Sequence, residues 1–344
     1  MSTTATVLQQ TAPAERSACG VCGGDVHLVA ETLVGYREDL RYAVAGCGAC
    51  GARWADPLAE EPGLYEQIYE AAVALPGYWR YESYAAQVRR RRDPLRYLGR
   101  VEDVYWAVAR ALDDGARPGS SRPRILEIGS GLGYLTHALH RAGHDVEGVD
   151  LSAAAVARAR QRFGDTRFSS PADGDRLTDG GPWDVIVACE LIEHVADAAG
   201  LLAGWAEALA PGGRIILTTP NRDYWPEATV WATDLPPVHL WWFSERSIAH
   251  LARRCGLETT FVDFTEFNRT NWSTRSRVRP APPAPLDRHG RLRVEGATAV
   301  TRLARRPLVR QVVGRLLGDR LRGGQPTHRS ATLCAVLRRE GETS

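Results

Sequence analysis

From residue 124 onward the apolar positions switch repeatedly between a period of two and a period near 3.6, which predicts short strands alternating with helices. Residues 124–128 make the first apolar strand; Leu135, Ala138, Leu139 and Ala142 then recur at i, i+3, i+4 and i+7 until Gly143 stops the helix. Residues 145–150 read as the second strand, and Ser152 caps a helix that ends near Gly164. Residues 166–169 and 184–189 read as the third and fourth strands, followed by a helix over 196–209 and a fifth strand over 214–219. A helix from Ser244 to Gly256 and a sixth strand over 258–264 continue the alternation. The last strand, 331–338, comes after an interval much longer than the usual connection. Strict alternation of this kind predicts a parallel sheet covered by helices on both faces.

The upstream part follows another pattern. Residues 1–17 are polar and patternless and are expected to form a disordered tail. Cys19 and Cys22 make one CxxC pair and Cys47 and Cys50 a second, with a hairpin-sized gap of 24 residues between them. Two such knuckles bring four thiolates to one tetrahedral ion, so residues 18–60 are predicted to be a zinc ribbon with a closed, structural Zn2+ site. Residues 61–115 are helical and aromatic, with Tyr65, Tyr69, Tyr78, Trp79, Tyr81 and Tyr84 ahead of a helical run over 95–112. The run Arg89 to Arg92 between them reads as a solvated helix face. A Gly/Pro/Ser-rich linker over 115–123 marks the boundary of a domain spanning 124–339. Inside that domain, 268–328 holds a Pro-rich stretch and then a basic amphipathic helix carrying Val300, Leu303, Val309, Val312 and Leu316.

Composition narrows the chemistry. The 344 residues are 44% hydrophobic and 24% charged, the balance of an ordinary globular protein. All 43 basic residues are arginine. Without lysine there is no P-loop lysine, no Schiff-base amine and no kinase strand lysine. Residues 275–344 hold 16 Arg against 5 acids, while the rest of the chain holds 27 against 36, so a basic segment is attached to an acidic body. No transmembrane run and no signal-peptide pattern is present, and a cytoplasmic location is expected, where thiols stay reduced and free for metal.

The first strand runs directly into Gly129, Gly131 and Gly133, and Tyr134 opens a helix, so backbone N–H groups and a helix N-terminus face a closely approaching ligand. The dinucleotide fingerprint would place glycine at 134; here an acid, Glu127, stands two residues before the first glycine instead. This ExGxGxG resembles motif I of the class I S-adenosylmethionine-dependent methyltransferases. Residues 183–190 resemble that family's fourth-strand motif, and 210–221 its post-helix turn and fifth strand. The resemblance covers 124–339 and implies an α/β fold with a seven-stranded Rossmann-like sheet, the last strand antiparallel beside the sixth. It further implies S-adenosyl-L-methionine as cofactor, contacted by Glu127, Gly129, Gly131, Gly133, Tyr134, Asp150, Leu151, Asp173, Cys189 and Glu190. Asp150 ends the second strand, where a carboxylate can accept ribose hydroxyls, and Asp173 fits the family's position beside the adenine. The two-knuckle head with Trp54, Pro57, Leu64, Tyr65 and Tyr69 resembles the zinc ribbons on bacterial methyltransferases of sugars and secondary metabolites.

Acceptor chemistry is expected at the carboxyl ends of the strands, where Glu190, Glu193 and His194 follow the fourth strand and His239 follows the fifth. Three readings stay open. His194 or His239, with Glu193, can act as general base on an acceptor proton. Glu190, Glu193, His194 and His239 can hold a divalent metal that lowers an acceptor hydroxyl's pKa, a pattern similar to that of small-RNA 2′-O-methyltransferases and ubiquinone-pathway O-methyltransferases. Or Glu193 and His194 cap the next helix and hold the loop. Tyr224, Trp231 and Trp241 are expected to line an acceptor pocket, and the 268–328 segment to form a lid whose arginines bind an anionic acceptor. A solvated face or a membrane-surface helix are the alternatives for that segment. The expected function is methyl transfer to a small-molecule acceptor, foremost O-methylation of a sugar-containing or specialised metabolite. The alternatives are C-methylation of a keto-sugar, methylation of RNA or another nucleic acid, which the acidic body disfavours, and a non-catalytic binding module.

Overall fold

The computed structural model describes residues 18–61, 63–64, 68, 78–114, 122–164, 167–171, 177–224, 234–271, 284–293 and 328–341. The expectations for the tail 1–17, for Asp173 and Trp231, and for most of the linker and the basic lid lie outside them.

Seven strands form the main sheet: β4 (Arg124–Ile128), β5 (Asp145–Val149), β6 (Phe168–Ser169), β7 (Trp183–Cys189), β8 (Leu209–Pro220), β10 (Leu257–Phe261) and β11 (Thr332–Arg339). Their order is β10-β11-β8-β7-β4-β5-β6. β4, β5, β6, β7 and β8 pair in parallel, while β11 runs antiparallel to both β8 and β10, as expected. The chain winds outward from β4 in both directions, so the carboxyl ends of β4 and β7 form the switch point at which open α/β sheets take ligands.

Alternation along the central strands sorts their side chains between two cores. Leu126, Ile128, Ile186, Ala188, Ile215 and Leu217 pack with α6 (Ala198–Glu207) and α7 (Glu245–Arg254). Ile125, Val185, Val187 and Ile216 pack with α2 (Pro94–Val101), α3 (Asp103–Asp114) and α4 (Tyr134–Arg141), and α1 (Trp79–Val88) joins the same cluster. Both faces are therefore covered, which is why these strands carry unbroken apolar runs. α5 (Ala153–Phe163) begins at the Ser152 cap, whose hydroxyl accepts from Ala155 N at 3.2 Å, and ends at left-handed Gly164. α8 (Thr265–Thr270) follows β10.

The observed bounds differ from the sequence pattern in three places. The run 95–112 is two helices, because Glu102 is extended and turns its carboxylate to the Tyr84 hydroxyl. β8 begins at Leu209, where it pairs with Trp183 ahead of an irregular register across residues 210–213. α6 starts at Ala198 with Asp197 as its cap, so Glu193 and His194 do not cap it; they sit in a short 3-10 turn, Ile192–His194.

The N-terminal strands β1 (Val26–Val34), β2 (Arg41–Cys47) and β3 (Arg53–Asp56) form an antiparallel sheet whose fourth member is β9 (Trp241–Trp242), supplied by the segment between β8 and α7. The ribbon is thus completed by the larger domain. Residues 284–293, a described stretch within the basic insertion, lie on this ribbon: Leu286 N donates to Tyr36 O at 3.1 Å and Glu38 N to Leu286 O at 3.0 Å.

Candidate functional site

The glycine turn leaves β4 with positive φ at Gly129, Gly131 and Gly133. At two of these positions space as well as conformation requires glycine. A Cβ on Gly129 would stand 2.5 Å from Leu191 Cδ1, and one on Gly133 2.6 Å from Phe168 Cε1. Asp150 closes the turn from the end of β5. Its Oδ2 accepts from Gly131 N at 2.7 Å and its Oδ1 from Ser152 N at 2.8 Å, while burial raises its pKa. Glu127 is buried beneath the turn and accepts from the Thr136 hydroxyl, and burial pushes its carboxyl up to about 8. Leu151, next to Asp150 at the carboxyl end of β5, is an apolar side chain that is 74% exposed.

Tyr134 stands inside an aromatic box that the sequence reading did not assign to the site. Its hydroxyl lies 2.6 Å from that of Tyr105, the Tyr81 ring stacks on it at 6.3 Å, and Tyr84 meets it edge-on. Arg80 lies over the Tyr81 ring at 4.9 Å and donates to its hydroxyl. The three-residue spacing of Tyr78, Tyr81 and Tyr84 was the available signal, since it puts them on one helix face.

β7 ends at Cys189, and Glu190 follows with φ +50°. Glu190 N donates to Thr218 O at 3.0 Å, and the carboxyl is pushed well up by burial and then by Glu193 and Asp103. Three further groups converge. Glu193 is fully buried; its Oε2 accepts from the Thr219 hydroxyl at 2.9 Å, and its Oε1 has no hydrogen-bond partner. His194 Nδ1 donates to Val238 O at 2.5 Å, and its Nε2 lies 3.7 Å from Glu193 Oε1. His239 stands edge-on to His194 with ring centroids 4.6 Å apart, and its Nδ1 lies 3.8 Å from Asp234 Oδ1 without a hydrogen bond. Burial lowers the pKa of both histidines, His239 furthest, and raises Glu193 to about 8. Ligand-type atoms of Glu193, His194 and His239 all lie within 4.8 Å of one another. Two imidazoles, one oriented by a backbone carbonyl, and a carboxyl group with an unpartnered oxygen, which sheds its proton when a cation binds, form a donor set that fits a divalent cation.

The four cysteines also come together, with their Sγ atoms within 4.8 Å of one another. Cys19 and Cys50 are 3.7 Å apart, Cys22 and Cys47 3.5 Å. Val21 N and Gly24 N each donate to a knuckle sulfur at 3.4 Å. A closed set of four thiols with N–H groups turned to sulfur fits a structural zinc.

One residue expected to line an acceptor pocket, Trp241, is engaged in packing. Trp241 is buried against Trp54 at 5.7 Å and Phe243 at 5.5 Å, its Nε1 donating to Val195 O at 3.0 Å. Tyr224 is buried in a 3-10 turn after β8. Among the described residues no helix is long and apolar enough to cross a membrane.

Residues 100–261 match the family described as a methyltransferase domain. The ubiquinone biosynthesis O-methyltransferase of Psychrobacter arcticus is 32% identical over 157 residues, 43% of this chain and 61% of that protein. The protein of the same name from a Caulobacter species is 36% identical over 104 residues, 29% of this chain and 41% of that protein. The chain therefore spans less than two thirds of the length of these relatives. A solved S-adenosylmethionine dependent methyltransferase from Mesorhizobium loti superposes with a TM-score of 0.42 at 20% identity, covering 69% of this chain and 98% of that one.

Proposed function

We propose that the chain, whose residues 100–261 match a methyltransferase domain, is an S-adenosylmethionine-dependent O-methyltransferase whose acceptor is a small-molecule hydroxyl, with Glu193, His194 and His239 holding a divalent cation beside it. The cofactor end is supported by the glycine turn: three glycines with positive φ bring bare backbone to the start of α4, and Asp150 and Leu151 offer a carboxylate and an apolar surface to a nucleoside. When bound, S-adenosylmethionine supplies a methyl group activated by its sulfonium. The chain's own part is alignment, since holding two reactants in line accounts for much of the rate of a displacement.

The observation that carries the acceptor reading is the buried Glu193, His194 and His239 cluster, with Glu193 Oε1 and His239 Nδ1 left without hydrogen-bond partners. Buried polar atoms are normally satisfied, so two orphaned atoms on residues of one buried cluster mark a place where something else binds. A divalent cation there lowers the pKa of a coordinated hydroxyl. His239 stays neutral at physiological pH through burial, and Val238 O orients the His194 ring beside it. Hydroxyl chemistry is supported by the O-methyltransferase names of the relatives. A sugar-containing or specialised metabolite is the acceptor class that the ribbon-bearing head suggests.

The test has two arms. Equilibrium dialysis with S-adenosylmethionine is expected to show saturable binding; no binding overturns the enzyme reading. Methyl-labelled cofactor incubated with a cell extract, with Mn2+ or with a chelator too weak to strip the cysteine site, is expected to label the small-molecule fraction only when Mn2+ is present. Label that survives the chelator replaces the cation with a histidine base, and label in nucleic acid overturns the acceptor class.

A further inference from the structure

The segment that completes the acceptor cluster is the same segment that completes the ribbon. Val238, His239 and Leu240 are consecutive, and each serves one member of the cluster. Val238 O orients His194, His239 contributes its own ring, and Leu240 N donates to Glu193 O at 2.8 Å. The other backbone group of Leu240 faces the opposite way: its carbonyl accepts from Ala55 N at 2.9 Å. From there β9 runs beside β3 with Trp54 opposite Trp241 and Arg53 opposite Trp242. Residue 240 is a one-residue bridge between a ribbon strand and the acceptor cluster.

The cysteine knuckles are tied to the element that follows β9. Ser244, the cap of α7, donates its hydroxyl to Cys50 O at 3.1 Å, and Arg246 reaches Gly48 O at 3.3 Å. Arg254, at the other end of the same helix, donates to Gly20 O and, at 3.1 Å, to Val21 O of the first knuckle. Both knuckles are therefore fixed to α7 and β3 is fixed to β9, so the loop carrying His239 is clamped from two sides. β9 is only two residues long, and a strand that short has no stability apart from its partner. The ribbon strands that hold it depend in turn on their four-thiolate centre, as small metal-stapled units do. The glycine turn stands apart: it is built on β4, β5 and α4, and its hydrogen bonds run to Asp150 and Val149.

We propose that the four-cysteine ribbon is a positioning element for the acceptor centre: with its metal bound, it holds Val238, His239 and Leu240 in the register that brings Glu193, His194 and His239 together. This rests on reading that cluster as the acceptor-side cation site. Zinc loss therefore disables the acceptor side while the cofactor side persists, which makes the ribbon part of the active-site architecture.

The experiment uses the full chain with zinc bound, the same protein after zinc release by a strong chelator, and the variants Cys47→Ser and Arg254→Ala. Three quantities are read: S-adenosylmethionine affinity, Mn2+ affinity by electron paramagnetic resonance with His239→Ala as the blank, and hydrogen exchange at the Leu240 amide. Zinc release and Cys47→Ser are expected to weaken Mn2+ binding about tenfold or more, as loss of outer-shell support does. Leu240 exchange should rise about a hundredfold, with cofactor affinity held within about threefold. Arg254→Ala, which leaves every thiol in place, should move the same two readouts in the same direction by less. Unchanged Leu240 exchange after verified zinc release overturns the proposal, and so does a parallel loss of cofactor affinity. If the intact protein takes no Mn2+ at the His239 site, the cation reading fails instead, and the Leu240 amide alone decides the ribbon's role.

Discussion

Two regions at the carboxyl edge of one sheet are finished in opposite ways. At the glycine turn the polar atoms are already engaged: Asp150 accepts two backbone N–H groups and Glu127 accepts from Thr136. At the acceptor cluster, a few residues beyond β7, Glu190 Oε1, Glu193 Oε1 and His239 Nδ1 are buried without hydrogen-bond partners. The first region is built from a contiguous strand, turn and helix, and its geometry follows from local backbone demands. The second joins residues 190–194 to residues 234–240 and is held by a ribbon more than a hundred residues upstream. A turn whose polar atoms are engaged and a cluster of buried polar atoms without partners thus share one edge.

The comparison predicts that damage on one side spares the other. The largest effect is expected for Asp150→Ala, which strands the amides of Gly131 and Ser152. At about 1–3 kcal/mol for each unsatisfied group, cofactor affinity should fall about a hundredfold by calorimetry with Mn2+ binding unmoved. Near-native cofactor affinity in this variant would show that the turn is not preorganised by Asp150. Next, His239→Asn should weaken Mn2+ about tenfold or more, while cofactor affinity stays within about threefold. Equal losses of both ligands would erase the distinction between the two regions.

A smaller effect concerns pH and sharpens the contrast from the cofactor side. Burial raises Glu127 from 4.5 to about 8, so the fold prefers its protonated form. That contribution is complete below the ordinary carboxylate range and is lost as pH rises through about 8. Cofactor-free protein should therefore lose about 1 kcal/mol of stability per pH unit approaching neutrality, and Glu127→Gln should flatten the slope in urea melts at several pH values. An unchanged slope would mean that Glu127 ionises freely beneath the turn. The smallest effect is expected for Tyr134→Phe, which leaves the buried Tyr105 hydroxyl without its partner at 2.6 Å and should cost about 1 kcal/mol in thermal melts.

Much of the main sheet was legible before the structure. The period of two in 124–128 and 184–189, the Ser152 cap and the Gly164 stop act within a few residues, and the structure keeps them. Where the reading slipped, a distant partner had intervened. Glu102 breaks an apparently continuous helix because Tyr84 and Arg80 hold its carboxylate. Trp241 carried a signal for an acceptor pocket, yet it packs on Trp54 of the ribbon, a contact invisible along the chain. The boundary at residue 60 likewise hid the strand that β9 lends to the ribbon.

What the sequence determined by itself were the units whose residues lie close together: each CxxC knuckle, the strand-to-glycine-to-helix turn, the capped helices and the alternation of β and α. Their geometry is set by backbone dihedrals, by hydrogen bonds a few residues long and by side-chain periodicity, all present in a short window. Only the tertiary structure decided that His239 meets His194 and Glu193, that β9 belongs to the ribbon sheet and that Tyr81 and Tyr84 close over Tyr134. Such contacts depend on which faces two distant elements bury against each other, and hydrophobic pattern specifies that a face is buried without specifying its partner.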